Sequence, residues 1–263
     1  MALPASRRIL DVRVDDVTED EAVARCVAFV ADGRRSVVTP NPEIVMAARA
    51  DRALRHALAR ADLAIPDGGG LLLAARLWGQ PFRAQVRGSD LTTRLLAEAA
   101  TRGWRVFLLG GTPGVAEEAA IQSKARWPAL RIVGTDAGHA DETHDPATRD
   151  AIAAVGRVDL LLVAFGAPRQ EGWLARNLSQ LDVGVALGVG GTLDFLAGRV
   201  RRAPRPIRRA GLEWLFRLIV QPWRWRRQLG AARFFPLVAL RAPAERRRAA
   251  RSGTAHYRRT LRP

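Results

Sequence analysis

Short apolar runs alternate along the chain with longer stretches in which apolar residues recur every three or four positions. The first pattern predicts buried strands and the second amphipathic helices. Residues 9–14 alternate and predict a strand. Thr18 and Glu21 form a capping box opening a helix to about Ala31. Residues 36–39 form the next apolar run, and Pro40 and Pro42 keep the backbone from turning helical until Glu43. Helices are predicted over residues 44–50 and 52–60. A strand over 63–65 then delivers Pro66-Asp67-Gly68-Gly69-Gly70, followed by a helix over 71–78. Asp90 is expected to cap a helix running to about Arg102. Strands follow at 104–109, 131–134, 159–165 and 183–187, with a helix to Trp127, a polar loop over 136–146 and a helix to Val155 between them. Apolar strands alternating with helices predict an α/β fold: a Rossmann-like, mostly parallel sheet with helices on both faces. No repeat of fixed period is present.

A parallel sheet gathers its functional loops at the carboxyl ends of its strands. Each glycine-rich turn in this chain leaves a strand and enters a helix: Pro66–Gly70, Gly110–Gly114, Gly166-Ala167-Pro168 and Gly188–Thr192. Free backbone N–H groups and the helix dipole suit such turns to phosphate. Each alone is as readily a tight turn, since none spells Gly-x-Gly-x-x-Gly or a P-loop. Several on one edge favour a nucleotide-type ligand.

Charge changes the picture only at one end. The chain of 263 residues carries +16, but residues 199–263 hold 19 arginines against Glu213 and Glu245. The first 198 residues hold 23 basic and 24 acidic side chains. The division expected is therefore an α/β catalytic domain over 1–198 and a basic, helical C-terminal appendage over 199–263. Such a tail suits anionic lipid or nucleic acid, unless it is simply solvated. No apolar run reaches the length of a membrane span, and the N-terminus is too polar for a signal peptide. The single cysteine, Cys26, excludes an intrachain disulfide, fits a reducing compartment and reads as core filler.

The chemistry-bearing residues narrow the reaction further. Asp-x-Asp and Gly-x-Ser-x-Gly are absent. The histidines are scattered, and His139 with Asp136, Asp141 and His144 reads as a solvated loop that imitates a metal site. No catalytic metal and no cofactor are expected. Asp67 remains, a carboxylate at a strand-to-helix turn that can act as a general base. With no metal, arginines and backbone N–H groups must meet the charge of a leaving diphosphate, and Arg87 is a candidate. Asp67 could equally be a helix N-cap and Arg87 a surface ion pair; spacing does not separate these readings.

Six motifs occur in order: Thr39-Pro40-Asn41-Pro42-Glu43, Pro66-Asp67-Gly68, Arg87-Gly88-Ser89-Asp90, Phe107-Leu108-Leu109-Gly110-Gly111, Gly166-Ala167-Pro168-Arg169-Gln170-Glu171 and Gly188-Val189-Gly190-Gly191-Thr192-Leu193-Asp194-Phe195. With Arg202-Ala203-Pro204 and Gly211–Leu218, this set resembles the WecG/TagA/CpsF family of bacterial glycosyltransferases over roughly residues 9–240. The resemblance implies inverting, metal-independent transfer from a UDP-sugar to a sugar on a polyprenyl diphosphate at the cytoplasmic membrane face. In TagA-like members N-acetylmannosamine is transferred for wall teichoic acid linkage, in WecG-like members the corresponding uronic acid, and others serve capsule or exopolysaccharide. By the same resemblance Asp67 is the base, and Thr39, Asn41, Arg87 and Gln170 are the other polar residues of the active site. Gly110, Gly111, Gly190, Gly191 and Asp194 would hold the nucleotide.

Arginines and aromatics interleave between Pro206 and Leu240, a composition suited to a membrane interface. Arg217, Arg224 and Arg227 are assigned to the lipid diphosphate. The implied location is cytoplasmic, peripheral on the inner face of the cell membrane, and self-association in solution is compatible with it. A nucleotide- or RNA-binding module with a basic tail is the alternative, because RNA uses the same residue types. The lipid-bound acceptor favours the membrane, and no nucleic-acid partner is expected.

Overall fold

The computed structural model describes residues 4–204, 207, 213–220, 225 and 232–260, without the side chains of 213, 214, 217 and 251–260. Two strands, β1 (Ser6–Ile9) and β2 (Val12–Asp15), form an antiparallel hairpin. The expected single strand over 9–14 is broken because Leu10 and Asp11 both adopt positive φ, 48° and 74°, and turn the chain back on itself. The main sheet holds β3 (Arg35–Val38), β4 (Leu63–Ala64), β5 (Arg105–Gly110), β6 (Arg131–Asp136), β7 (Val158–Ala164) and β8 (Val183–Gly188). Its order is β4-β3-β8-β7-β5-β6 and every pairing is parallel.

Helices α1 (Glu19–Asp32), α2 (Pro42–Ala50), α3 (Arg52–Arg60), α4 (Gly69–Leu77), α5 (Gly88–Arg102), α6 (Val115–Arg126), α7 (Asp145–Ala153), α8 (Arg169–Asn177) and α9 (Thr192–Leu196) surround the sheet. The predicted capping box opens α1: the Thr18 hydroxyl accepts from Glu21 N–H and the Glu21 carboxylate accepts from Thr18 N–H. Helix α5 begins at Gly88, so Asp90 lies in its first turn rather than at its cap. The central strands are apolar because both faces are covered. Leu160, Leu161, Leu162 and Val163 of β7 are fully buried, each side chain contributing roughly 1.5–3 kcal/mol. Cys26 is core filler, and burial pushes its thiol up to about 12.

The hairpin packs beside the β4 edge. Asp15, 3% exposed, accepts the Ala64 N–H at 2.8 Å and pairs with Arg13. A buried carboxylate thus meets an edge-strand donor that another strand could otherwise take. Past residue 198 the chain stays in contact with this body. Arg199 forms a two-pronged ion pair with Glu118, and Ala203 is buried. A helix over Glu213–Val220 and a C-terminal helix over Phe234–Thr260 follow. Phe234 and Val238 of the latter are buried against α4, and the Trp78 indole N–H donates to Val238 O at 2.9 Å.

Candidate active site

The carboxyl ends of four consecutive strands, β4, β3, β8 and β7, open into one cleft. The turn after β3 and the start of α2 contribute Thr39, Asn41, Glu43 and Ile44. The turn after β4 contributes Asp67, and the turn after β8 with α9 contributes Val189, Gly190, Gly191, Thr192 and Phe195. The turn after β7 and the start of α8 contribute Gly166, Ala167 and Gln170, while Arg87, Gly88 and Ser89 close the wall from the start of α5. All five residues assigned to catalysis, Asp67, Thr39, Asn41, Arg87 and Gln170, therefore line the same cleft.

Local folding explains how each arrives. The Asp67 N–H is held by Pro40 O and Ile65 O at 3.2 and 2.9 Å, tying the β4 turn to the β3 turn. Asp67 does not cap α4. The cap position is Gly68, at φ 89°, and it makes no side-chain cap bond. The Asp67 carboxylate instead faces α5, where a β-carbon on Gly88 would stand 3.5 Å from Asp67 Oδ2 and 3.0 Å from Thr39 Cγ2. Asn41 does cap a helix: its Oδ1 accepts the Ile44 N–H at 3.0 Å, so its amide N–H groups are the end that can address the cleft. Arg87 Nη2 donates to Gln85 Oε1 at 3.1 Å, and its other nitrogen lies 3.8 Å from Asp90.

Gln170 is 2% exposed and clamps two turns. Its Oε1 accepts the Gly190 N–H at 2.9 Å, and its Nε2 donates to Glu171 Oε1 at 2.9 Å. The close fit requires a glycine opposite, because a β-carbon at Gly188 would fall 2.9 Å from Gln170 Nε2. Helices α2, α5, α8 and α9 all point their N-termini at the cleft. Their terminal N–H groups, with Arg87, make it a favourable place for an anion.

Gly190 and Gly191 line the cleft; Gly110, Gly111 and Asp194 lie outside its lining. Gly110 ends β5, the strand beyond β7, and the Gly111 N–H donates to Ala164 O at 3.3 Å. Arg224 and Arg227 lie outside the described residues, and only the helical backbone of Arg217 is described. Glu43, Ser89, Thr192 and Phe195 line the cleft without having been singled out. They stand inside the recognised turn motifs, but a motif does not tell which of its side chains faces inward. Ser89 Oγ accepts from Arg202, which also pairs with Asp90 at 2.7 Å.

A sequence profile of the glycosyl transferase WecG/TagA/CpsF family matches residues 7–249. The chain belongs to this family. Among relatives of this WecG/TagA/CpsF protein is the N-acetylglucosaminyldiphosphoundecaprenol N-acetyl-beta-D-mannosaminyltransferase of Bacillus spizizenii, 35% identical over 202 residues, 77% of each chain. The Bacillus subtilis protein of the same name is 32% identical over 198 residues, 75% of this chain and 76% of the relative. Among the described residues of this family member, no helix is long and apolar enough to cross a membrane.

Proposed function

We propose that this protein is an inverting, metal-independent transferase. It would move N-acetylmannosamine, or a related hexose or uronic acid, from a UDP-sugar onto a sugar carried by a polyprenyl diphosphate, in the synthesis of teichoic acid or another cell-surface polysaccharide. The observation that carries this reading is the position of Asp67: a carboxylate inside a cleft ringed by helix N-termini and Arg87. Asp67 takes the proton from the acceptor hydroxyl as its oxygen attacks the anomeric carbon. The bond from that carbon to the diphosphate oxygen breaks on the opposite face, and UDP leaves with the electron pair. Backbone N–H groups and Arg87 meet the charge that develops on the diphosphate, so the reading assigns no role to a divalent ion.

Thr39, Asn41 and Gln170 orient the sugars, Gln170 also fixing the Gly190 turn. The nucleotide lies along Gly190 and Gly191, with Gly110, Gly111 and Asp194 beyond the rim on the side where a long donor would extend. Arg217, Arg224 and Arg227 receive the lipid diphosphate, and the segment after 198 rests on the anionic inner face of the membrane. Exposed Leu215, Ile219, Trp225, Phe235 and Leu240 support that placement, since apolar side chains among arginines suit a lipid interface.

The deciding experiment measures UDP release from purified protein against a panel of UDP-sugars, with and without a short-chain prenyl-diphosphate N-acetylglucosamine, in EDTA. Release that needs both partners and survives chelation is the expected result. Release with no pair, together with tight RNA binding and no sedimentation with anionic liposomes, would overturn the reading in favour of a nucleic-acid-binding module.

A further inference from the structure

Strand β6 is the edge of the sheet farthest from Asp67. The loop from β6 to α7 carries His139, Asp141 and His144, none of which lines the cleft. We propose that these three side chains form a binding site for a borderline transition-metal dication such as zinc, cobalt or nickel, separate from the transferase chemistry.

The geometry brings the donors together. One ligand atom from each residue lies within 4.8 Å of the others. The two imidazole rings stand 4.4 Å apart, tilted by 33°. His144 Nδ1 is 2.6 Å from Asp141 Oδ1. A tetrahedral ion bound at about 2.0–2.2 Å needs ligand atoms roughly 3.3–3.5 Å apart, so the His144–Asp141 hydrogen bond must open by a little under an ångström and the widest separation must close by about as much. All three side chains are exposed, so they have room to adjust without moving the core.

The backbone beneath them is fixed on both sides. Gly138 packs against Leu109, Phe165 and Thr148, and its N–H donates to Asp136 Oδ1 at 2.9 Å. Arg176 donates to Ala140 O at 2.9 Å and grips the buried Asp145 with two bonds, at 2.7 and 3.2 Å. The His144 N–H closes a turn onto Asp141 O. The ligand-bearing positions are thus held before any ion arrives, which lowers the ordering cost of binding. Two imidazoles and one carboxylate suit zinc, cobalt, nickel or copper; magnesium and calcium take oxygen ligands. With three protein ligands, a fourth position is left to water.

The test uses untagged full-length protein, stripped with EDTA and desalted. Cobalt and zinc chlorides are titrated by calorimetry, and the cobalt absorption spectrum is followed. Saturable binding of about one equivalent is expected, weakened about tenfold or more by His139→Ala or His144→Ala. His56→Ala, a change at an exposed histidine on α3, should leave binding unchanged. Zinc should raise the melting temperature of the wild type but not of the double variant that combines His139→Ala with His144→Ala. Asp141→Asn, which keeps a side-chain oxygen for the His144 N–H, guards against a loop that merely loses its shape and should weaken binding in the same direction. Absence of saturable binding, or binding undiminished in the double variant, overturns the proposal. UDP release by the stripped protein is a separate readout, and its result bears on the proposed transfer reaction alone.

Discussion

The turn after β4 and the turn after β5 are both rich in glycine, and both lead from a parallel strand into a helix. At the first, Gly70 lets α4 close on α2, because a β-carbon there would fall 2.5 Å from Pro42 Cγ. The neighbouring Asp67 lines the cleft. At the second, the space is filled. A β-carbon on Gly110 would lie 2.8 Å from the Ala164 carbonyl carbon, and one on Gly111 would lie 2.9 Å from Val115 Cβ. Arg199, paired with Glu118, reaches to 3.0 Å of the same point on Gly114. Glycine is required in both turns, once to bring two helices together beside a reactive side chain and once to let strands and a helix close. What stands across the turn, rather than the number of glycines in it, separates the two.

The largest test of this contrast is Asp67→Asn. It should lower kcat by about 10²-fold or more while donor affinity changes little. Steady-state kinetics and donor titration would check it, and an active variant would remove the distinction between the turns. Next is Gly110→Ala. A non-glycine residue at φ 99° facing the β7 backbone should cost about 2 kcal/mol of stability, read from urea unfolding, with kcat retained in the folded protein. A loss of donor affinity beyond that would seat the far end of the donor against this turn; unchanged affinity would confine the donor to Gly190 and Gly191.

The smallest effect lies behind the Asp67 turn. Burial holds the Asp15 carboxyl above its ordinary value of 3.8, against the Ala64 N–H and Arg13, which pull it down. As pH rises the unfolded chain therefore ionises first. Stability from this group is greatest below the ordinary value and is lost as pH climbs through the raised one. Asp15→Asn keeps an acceptor for Ala64 and removes that slope. Its unfolding free energy from urea titration, relative to wild type, should rise across the acid range as pH climbs from the ordinary value of 3.8. A flat difference across that range would refute the burial argument.

Much of this fold was legible because apolar runs flanked by turn residues leave few alternatives for a sheet covered on both faces. Residues 159–165 and 183–187 became β7 and β8 almost to the residue. The hairpin was not legible, since alternation over residues 9–14 gives no sign that Leu10 and Asp11 adopt positive φ. In the site, the resemblance named Asp67 and four companions, and all five line one cleft, whereas spacing alone left Asp67 equally readable as a cap. The inward positions of Ser89 and Phe195 depend on how α5 and α9 are rotated, and tertiary packing sets that rotation.

One consequence of the docking of the C-terminal helix concerns α4. Phe234 is sunk into the core, and the ring of Phe235 lies 3.5 Å from the site of a Gly70 β-carbon, in the first turn of α4. Trp78, where α4 ends, donates to Val238 O. The helix that follows directly on the Asp67 turn is thus clasped at both ends by a segment from the far end of the chain. A change that lifts this segment would reach the turn bearing Asp67 through α4, without touching the cleft itself.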